Sequence, residues 1–159
     1  MIFLKKIGAK ITFSGTRGLN IHGVKNLKST THKVIFDRIE AGTYIIASAL
    51  TKGKLKIKNV IPKIISNEIS LLNKMGVVID KGKKYITVTR PGKIKNTNIT
   101  TSPYPGFPTD LQAQIMVLMT QANGISTVKE KIFENRFMHV PRIKKNGCRH
   151  SNQGQCCKN

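Results

Sequence analysis

Apolar residues in this chain keep two rhythms in turn, a spacing of three and four that suits a helix and a spacing of two that suits a half-buried strand. The run G-T-Y-I-I-A-S-A-L-T at 42–51 predicts a helix that ends at Gly53, and L-K-I-K-N-V at 55–60 alternates as a strand does. From Ile61 to Met75 the apolar positions return to helical spacing with Lys and Asn opposite, which predicts an amphipathic helix packed on a sheet. The same spacing also describes a helix lying on a membrane surface. After Gly76, Val77–Asp80 and Tyr85–Thr89 read as two strands turned by K-G-K-K around Gly82. A further helix is predicted over Asp110–Asn123, stopped by Gly124, then a strand over Ile125–Ile132 and a second helix reaching Gly147. Its stretch L-Q-A-Q-I-M-V-L-M at 111–119 is apolar on nearly every side after the first turn, as a helix enclosed by sheets is, and its Met residues read as core filler.

The order of elements repeats. Gly8 in L-K-K-I-G-A-K-I, Gly76 in L-N-K-M-G-V-V-I and Gly147 in I-K-K-N-G-C-R-H recur at roughly seventy-residue intervals, as do Gly53 and Gly124. Helix, strand, helix and a pair of strands make one β/α unit. Such a unit is too short to bury both faces of its sheet, so units of this kind are expected to stack around shared helices. The fold class is therefore α/β.

Charge changes this picture less than its size suggests. The chain of 159 residues has 28 Lys and Arg against 7 Asp and Glu, a net charge of +21. A nucleic-acid partner is the first reading of such a balance. The distribution argues against it, because the charges are scattered, Lys far outnumbers Arg, and the few aromatics do not interleave with them as a stacking platform requires. Lys, Ile and Asn are enriched together, and all have A/T-rich codons, which points to base-composition drift and to solvated Lys-rich faces. The resulting positive field still favours the approach of an anionic ligand.

The scarcity of acids makes the remaining ones informative. Asp37, Glu40, Asp110 and Glu134 lie in two turn-like segments, D-R-I-E and F-P-T-D…F-E-N-R, and the others are Glu68, Asp80 and Glu130. In S-P-Y-P-G-F-P-T-D-L-Q-A-Q at 102–114, Pro103, Pro105 and Pro108 stiffen the loop before Asp110. Thr109 and Gln112 form the T-x-x-Q spacing of a capping box, which predicts that Thr109 satisfies the helix end and leaves the Asp110 carboxylate for something outside the helix. The plain alternative is an ordinary acid in a first helical turn.

Three segments in register, D-R-I-E-A-G-T at 37–43, S-P-Y-P-G-F-P-T-D-L-Q-A-Q at 102–114 and I-F-E-N-R-F-M-H-V-P at 132–141, closely resemble the bacterial UDP-N-acetylglucosamine enolpyruvyl transferases, or 1-carboxyvinyltransferases. The match runs from Phe3-Leu4 and Gly8-Ala9-Lys10 to Pro141, with one departure, Phe36, where the family usually has proline. The resemblance implies an inverse α/β barrel, sheets outside and helices inside, with three units in each of two domains. Against a family more than twice this length, the chain reads as an interior piece. Residues 1–30 would end the last unit of the first domain and cross over, 31–147 would form a partial second domain, and 148–159 an atypical polar tail. That tail lacks the apolar strand the repeat calls for, which suggests an early stop or frameshift. Its Cys148, Cys156 and Cys157, with His150, do not have a recognised zinc spacing, so no metal is expected there.

The family moves the enolpyruvyl group of phosphoenolpyruvate onto the 3-hydroxyl of UDP-N-acetylglucosamine and releases phosphate, the first committed step of peptidoglycan precursor synthesis. By the resemblance, Asp110 is the sugar-contacting aspartate and a candidate base, and Arg136 is an active-site cation. Ile132 contacts the sugar nucleotide through its backbone, and Phe133 and Asp37 join the substrate-binding set. An ion pair of Arg136 with Glu134 or Asp37, and of Asp37 with Arg38, is the purely structural alternative. No cofactor is implied. The partners implied are the two substrates, with neither nucleic acid nor membrane, and a separately encoded first domain is one source of the missing groups. Those groups are the family's Lys-Asn pair, its mobile loop with a Cys or Asp proton donor, and its anion-binding arginines, so the piece alone is expected to be inactive. The start M-I-F-L-K-K-I-G has too short an apolar run for a signal peptide or membrane span, which implies a cytoplasmic location. The related enzyme acting on shikimate 3-phosphate, and a Lys-rich module for RNA or anionic surfaces, are the competing readings.

Overall fold

Three helices of this chain stop where the backbone turns left-handed, at Gly8, Lys52 and Gly76. The structure, a computed structural model, describes residues 1–89 and 92–145 and the backbone of 150–151 and 155–156. It divides into two compact units, Met1–Ile35 and Phe36–Asn159. In the first, α1 (Ile2–Lys6) leads through Gly8, at φ +100°, into an antiparallel hairpin of β1 (Lys10–Ser14) and β2 (Gly18–His22). Ile11 pairs with Ile21 and Phe13 with Leu19, so one hairpin face is apolar.

The second unit opens with α2 (Arg38–Leu50), four residues earlier than its apolar run suggests. The Asp37 carboxylate explains the difference, because it accepts hydrogen bonds from the Ile39 and Glu40 amides at 2.7 and 3.3 Å and caps the helix. At its other end the left-handed residue is Lys52, at φ +58°, and Gly53 follows it, its N–H donating to the Ser48 carbonyl. β3 (Lys54–Lys58), a 3₁₀ turn (Pro62–Ile65), α3 (Ser66–Lys74), β4 (Val78–Lys81) and β5 (Tyr85–Thr89) complete the first repeat. α1 and α3 end alike. Gly8 and Gly76 donate to the carbonyls of Lys5 and Asn73, and Ala9 and Val77 to those of Leu4 and Leu72, the paired bonds of a Schellman cap.

The three strands form an antiparallel sheet in the order β3-β5-β4, and α2 packs against β3 and β5. The second repeat has β6 (Ile94–Lys95), β7 (Asn98–Thr100), a 3₁₀ turn (Thr109–Leu111), α4 (Gln112–Met119), β8 (Ala122–Asn123), β9 (Ser126–Lys129), α5 (Val140–Lys145), β10 (His150–Ser151) and β11 (Gln155–Cys156). β6 and β8 pair in parallel, and the last sheet has the order β10-β11-β9-β7. α4 stops at Met119 rather than Asn123, because Ala122 and Asn123 pair with Ile94 and Lys95 as a strand. Gly147, Cys148 and Cys157 lie outside the described residues.

α2 and α4 pack on each other between their sheets, and α4 also meets β6 and β9. Their contact needs Gly42, since a Cβ there would collide with the fully buried Leu111. Gln114 Nε2 donates to Thr43 Oγ1 at 3.2 Å across the same contact. Ile45, Ala49, Ile65, Leu72, Met75, Ile86, Val88, Ile115, Met116, Leu118 and Met119 close the core around it. Each large side chain buried there contributes about 1.5–3 kcal/mol. Phe36 packs against this core.

Candidate active site

Two loops meet beside the start of α4. The first, 101–108, is short of freedom. The Ser102 amide donates to the Phe107 carbonyl at 3.0 Å, the Gly106 amide to the Pro103 carbonyl at 2.8 Å, and the Tyr104–Pro105 bond is cis. α3 reaches the loop through Asn67, whose Nδ2 donates to the Pro105 carbonyl. The start of α2 reaches it through Arg38, whose guanidinium lies 5.0 Å from the Tyr104 ring centre while donating to Glu68 at 3.0 Å.

The second loop follows β9. Parallel pairing of β7 with β9 sets Thr100 opposite Lys129 and so brings Thr101 beside Glu130. Glu130 is the hub. Its Oε1 accepts from Thr101 Oγ1 at 2.7 Å and from the Ile132 and Phe133 amides at 2.7 and 3.3 Å. Its Oε2 accepts from Thr109 Oγ1 at 2.8 Å and Gln112 Nε2 at 3.1 Å. Thr109 and Gln112 therefore do not form the expected capping box; the helix start has no side-chain cap, and both residues turn to Glu130 instead. Burial of this carboxyl works to raise its pKa, but hydrogen bonds from Thr101, the Ile132 amide, Thr109 and the Phe133 amide outweigh it and hold the group below the usual glutamate range.

Asp110 stays outside that network, in the first turn after Pro108, with its side chain exposed. Its Oδ1 accepts from Arg136 Nη2 at 2.5 Å. Arg136 also stands 5.7 Å from the Phe133 ring centre, and Asn135 before it takes the left-handed conformation at φ +56°. Together these residues line a cleft of about 590 Å³, with Thr109, Gln112, Ala113, Glu134, Asn135, Met138 and His139 completing its walls. His139 Nε2 lies 3.1 Å from Met116 Sδ.

Of the residues singled out from the sequence, Asp110, Arg136 and Phe133 share this cleft. Ile132 lies beside it, its amide already engaged by Glu130. Asp37 is not in the cleft wall, and its carboxylate caps α2. Arg136 pairs with Asp110 rather than with Glu134 or Asp37, and Arg38 pairs with Glu68 rather than Asp37. Sequence reasoning missed Glu130. The one signal for it was the cluster of hydroxyl and amide side chains at Thr101, Thr109 and Gln112, which needs an acceptor once buried. Among the described residues no three His, Cys, Asp or Glu side chains stand together as a metal site. No described helix is long and apolar enough to cross a membrane.

Comparison with known proteins places this geometry. The family model described as EPSP synthase (3-phosphoshikimate 1-carboxyvinyltransferase) matches residues 1–157, which takes in most of the polar tail. UDP-N-acetylglucosamine 1-carboxyvinyltransferase of Pelagibacter ubique is 54% identical over 152 residues, 96% of this chain and 36% of the relative. The protein of the same name from Halothermothrix orenii is 49% identical over 91% of this chain and 35% of its own length. The chain thus spans about a third of the length of the curated relatives it matches. Among solved structures, the enolpyruvyl transferase NikO from Streptomyces tendae superposes with a TM-score of 0.84 at 26% identity, over 98% of this chain and 38% of that one. EPSP synthase from Acinetobacter baumannii shares the fold alone, with a TM-score of 0.65 at 16% identity over 98% of this chain and 38% of that one. The architecture is the inverse α/β barrel of these enzymes, incomplete here. The chain belongs to the EPSP synthase (3-phosphoshikimate 1-carboxyvinyltransferase) family of carboxyvinyl transferases.

Proposed function

We propose that this chain supplies the sugar-side half of a site that transfers the enolpyruvyl group of phosphoenolpyruvate to the 3-hydroxyl of UDP-N-acetylglucosamine. The observation that carries the reading is the pairing of Asp110 with Arg136 in one open cleft, within a chain about half identical to relatives named for that reaction. The hydroxyl oxygen attacks the substituted vinyl carbon and its proton passes to Asp110, an exposed carboxylate placed by a stiff loop. Phosphate leaves from the carbon so attacked, and the vinyl group is restored when the methylene carbon returns the proton it gained. Arg136, released from Asp110 as the hydroxyl arrives, holds the phosphate or carboxylate charge. With the Ile132 amide held by Glu130, the backbone contact to the sugar nucleotide falls to the Ile132 carbonyl and the Phe133 edge of the cleft. Asp37 belongs to the fold in this reading, as a helix cap.

The acid that protonates the methylene, and further cations, come from a first domain, on the same polypeptide or another. In domain terms, residues 1–30 end that first domain, 31–147 lie in the second and 148–159 form the tail. The reaction serves peptidoglycan synthesis, and so cell-wall biogenesis, cell shape and division, in the cytoplasm. A chimera carrying residues 1–145 in place of the matching stretch of a full-length relative tests the reading. Phosphate release that requires UDP-N-acetylglucosamine is expected, and it should fail in the Asp110→Asn chimera. Release with shikimate 3-phosphate instead would assign the sister reaction. Salt-sensitive binding of random oligonucleotides, without affinity for the sugar nucleotide, would point to a Lys-rich binding module.

A further inference from the structure

We infer that Glu130 is a positioning residue that holds the two limbs of the cleft in one frame, each of its carboxylate oxygens serving mainly one limb. The inference rests on the transferase reading for its consequence and on geometry for its substance. Oε1 collects the Ile132 and Phe133 amides and the Thr101 hydroxyl, which fixes the course of the chain toward Arg136. Oε2 collects the Thr109 hydroxyl and the Gln112 side-chain amide, the two groups that flank Asp110 and Leu111. Thr101 ties the pieces again, since its hydroxyl also accepts from the Lys131 amide at 2.9 Å. Glu130 touches neither Asp110 nor Arg136, so its effect on them passes through the backbone.

The donors it serves have little alternative. Thr101, Thr109 and Gln112 are buried, and donors left without an acceptor at such sites are costly. Gln112 Oε1 is buried without a hydrogen-bond partner while its Nε2 faces Glu130. In Glu130→Gln with the amide nitrogen on that side, the nitrogen can donate to the Thr109 hydroxyl, while flipping Gln112 to present its unpartnered oxygen would bury its own NH2 without an acceptor. The amide limb would still meet an oxygen. Glu130→Gln therefore keeps a bond to each limb. Glu130→Asp keeps the charge and the amides two and three residues on, as Asp37 does at α2, but is one methylene too short to reach Thr109 and Gln112 as well, and Glu130→Ala loses both limbs. Span, rather than charge, is the predicted requirement.

The full 159-residue chain carries the test. Amide hydrogen exchange at Ile132 and Phe133 should quicken on the order of tenfold or more in Glu130→Ala alone, and at Leu111, beside the Thr109 limb, in both Glu130→Asp and Glu130→Ala, with Glu130→Gln within about threefold of the parent at all three, while Ile115 and Met116 in α4 keep their protection. Titration of the same variants in the chimera with UDP-N-acetylglucosamine should give dissociation constants that rise in the order parent and Glu130→Gln, Glu130→Asp, Glu130→Ala. Equal loss of protection in α4 would show that Glu130 only supports the fold and would overturn the inference. So would a Glu130→Asp chain that matches the parent, or a Glu130→Gln chain that fails as badly as Glu130→Ala. A parent chimera with no affinity for the sugar nucleotide counts against the transferase reading, and the exchange pattern then decides the clasp by itself.

Discussion

Two arginine–carboxylate pairs among the described residues of the second unit have the same chemistry and opposite surroundings. Arg38 meets Glu68 at 3.0 Å with side chains 22% and 1% exposed, and Arg136 meets Asp110 at 2.5 Å with side chains 42% and 58% exposed. Each guanidinium also lies near an aromatic ring, Tyr104 in the first case and Phe133 in the second. The buried pair braces the proline-rich loop from the α2 and α3 side and leaves Glu68 Oε2 without a partner among the described residues. The exposed pair stands at the far end of the same loop, in the cleft. An ion pair whose carboxylate is buried serves the fold, at a desolvation cost; one open to water on both sides is worth little to stability and can be exchanged for a substrate. Stability and turnover should therefore respond to the two pairs in opposite ways.

Asp110→Asn is the sharpest break in that comparison. In the chimera, turnover should fall by about 10²–10⁴, the usual range for loss of a general base, with the thermal midpoint nearly unmoved. Phosphate release and a melting curve on the same preparation check both halves. Glu68→Ala should do the reverse. It leaves Arg38 half-desolvated and unpaired, and should lower unfolding free energy by about 2–4 kcal/mol, below the full buried-pair figure because Arg38 keeps some access to water. Urea unfolding measures it, and a loss no larger than that of Asp110→Asn would erase the distinction drawn between the pairs.

Why Asp110 and Arg136 were legible as candidate site residues, and neither ion pair as a pair, follows from range. Asp110 and Arg136 stood out because they sit in long motifs, and α2, α3 and α4 because their apolar spacing and glycine stops are local properties. The partner of Arg136 was not legible, because Asp110 and Arg136 come together only after β9 runs parallel to β7. The capping box failed for the same reason. T-x-x-Q is a local pattern, and a carboxylate delivered by the neighbouring strand outbid the helix end for both side chains. Asp37, read as a substrate contact, performs the local capping expected of Thr109. Glu130 and Glu68 carried no signal of their own, since a single acid in a Lys-rich chain looks like a solvated charge until tertiary structure surrounds it.

Acidity separates the Glu68 and Glu130 carboxyls by environment. For Glu68, burial raises the pKa above the ordinary value, and the hydrogen bond with its own backbone amide together with Arg38 only partly oppose it. Its folded form takes up a proton more readily than its unfolded form, so its contribution falls as pH rises from the ordinary carboxylate range through the raised value. Glu130 has the depressed value and the opposite sign: its contribution holds above the ordinary range and is lost as pH falls through the folded value. Urea midpoints from strongly acidic to neutral pH should show Glu68→Gln removing the loss on the higher-pH side and Glu130→Gln removing the loss on the acid side. If both substitutions flatten the same side, the two carboxyls do not differ as described.

The smallest effect tests the exposed pair itself. In a double-mutant cycle of Asp110→Asn and Arg136→Met, read by urea unfolding of the 159-residue chain, the coupling should be no more than about 1 kcal/mol, because both groups are open to water and two long side chains must be ordered to meet. Salt should shrink it further, since screening acts on exposed charges at this separation. The short contact with Arg136 does not change the expectation, for Arg136 has a second place to rest against the Phe133 ring. A coupling several times larger, and indifferent to salt, would mean that Arg136 is held on Asp110 as firmly as Arg38 on Glu68. In that case an incoming hydroxyl would have to displace a structural ion pair, and Asp110 would be a poor acceptor for its proton.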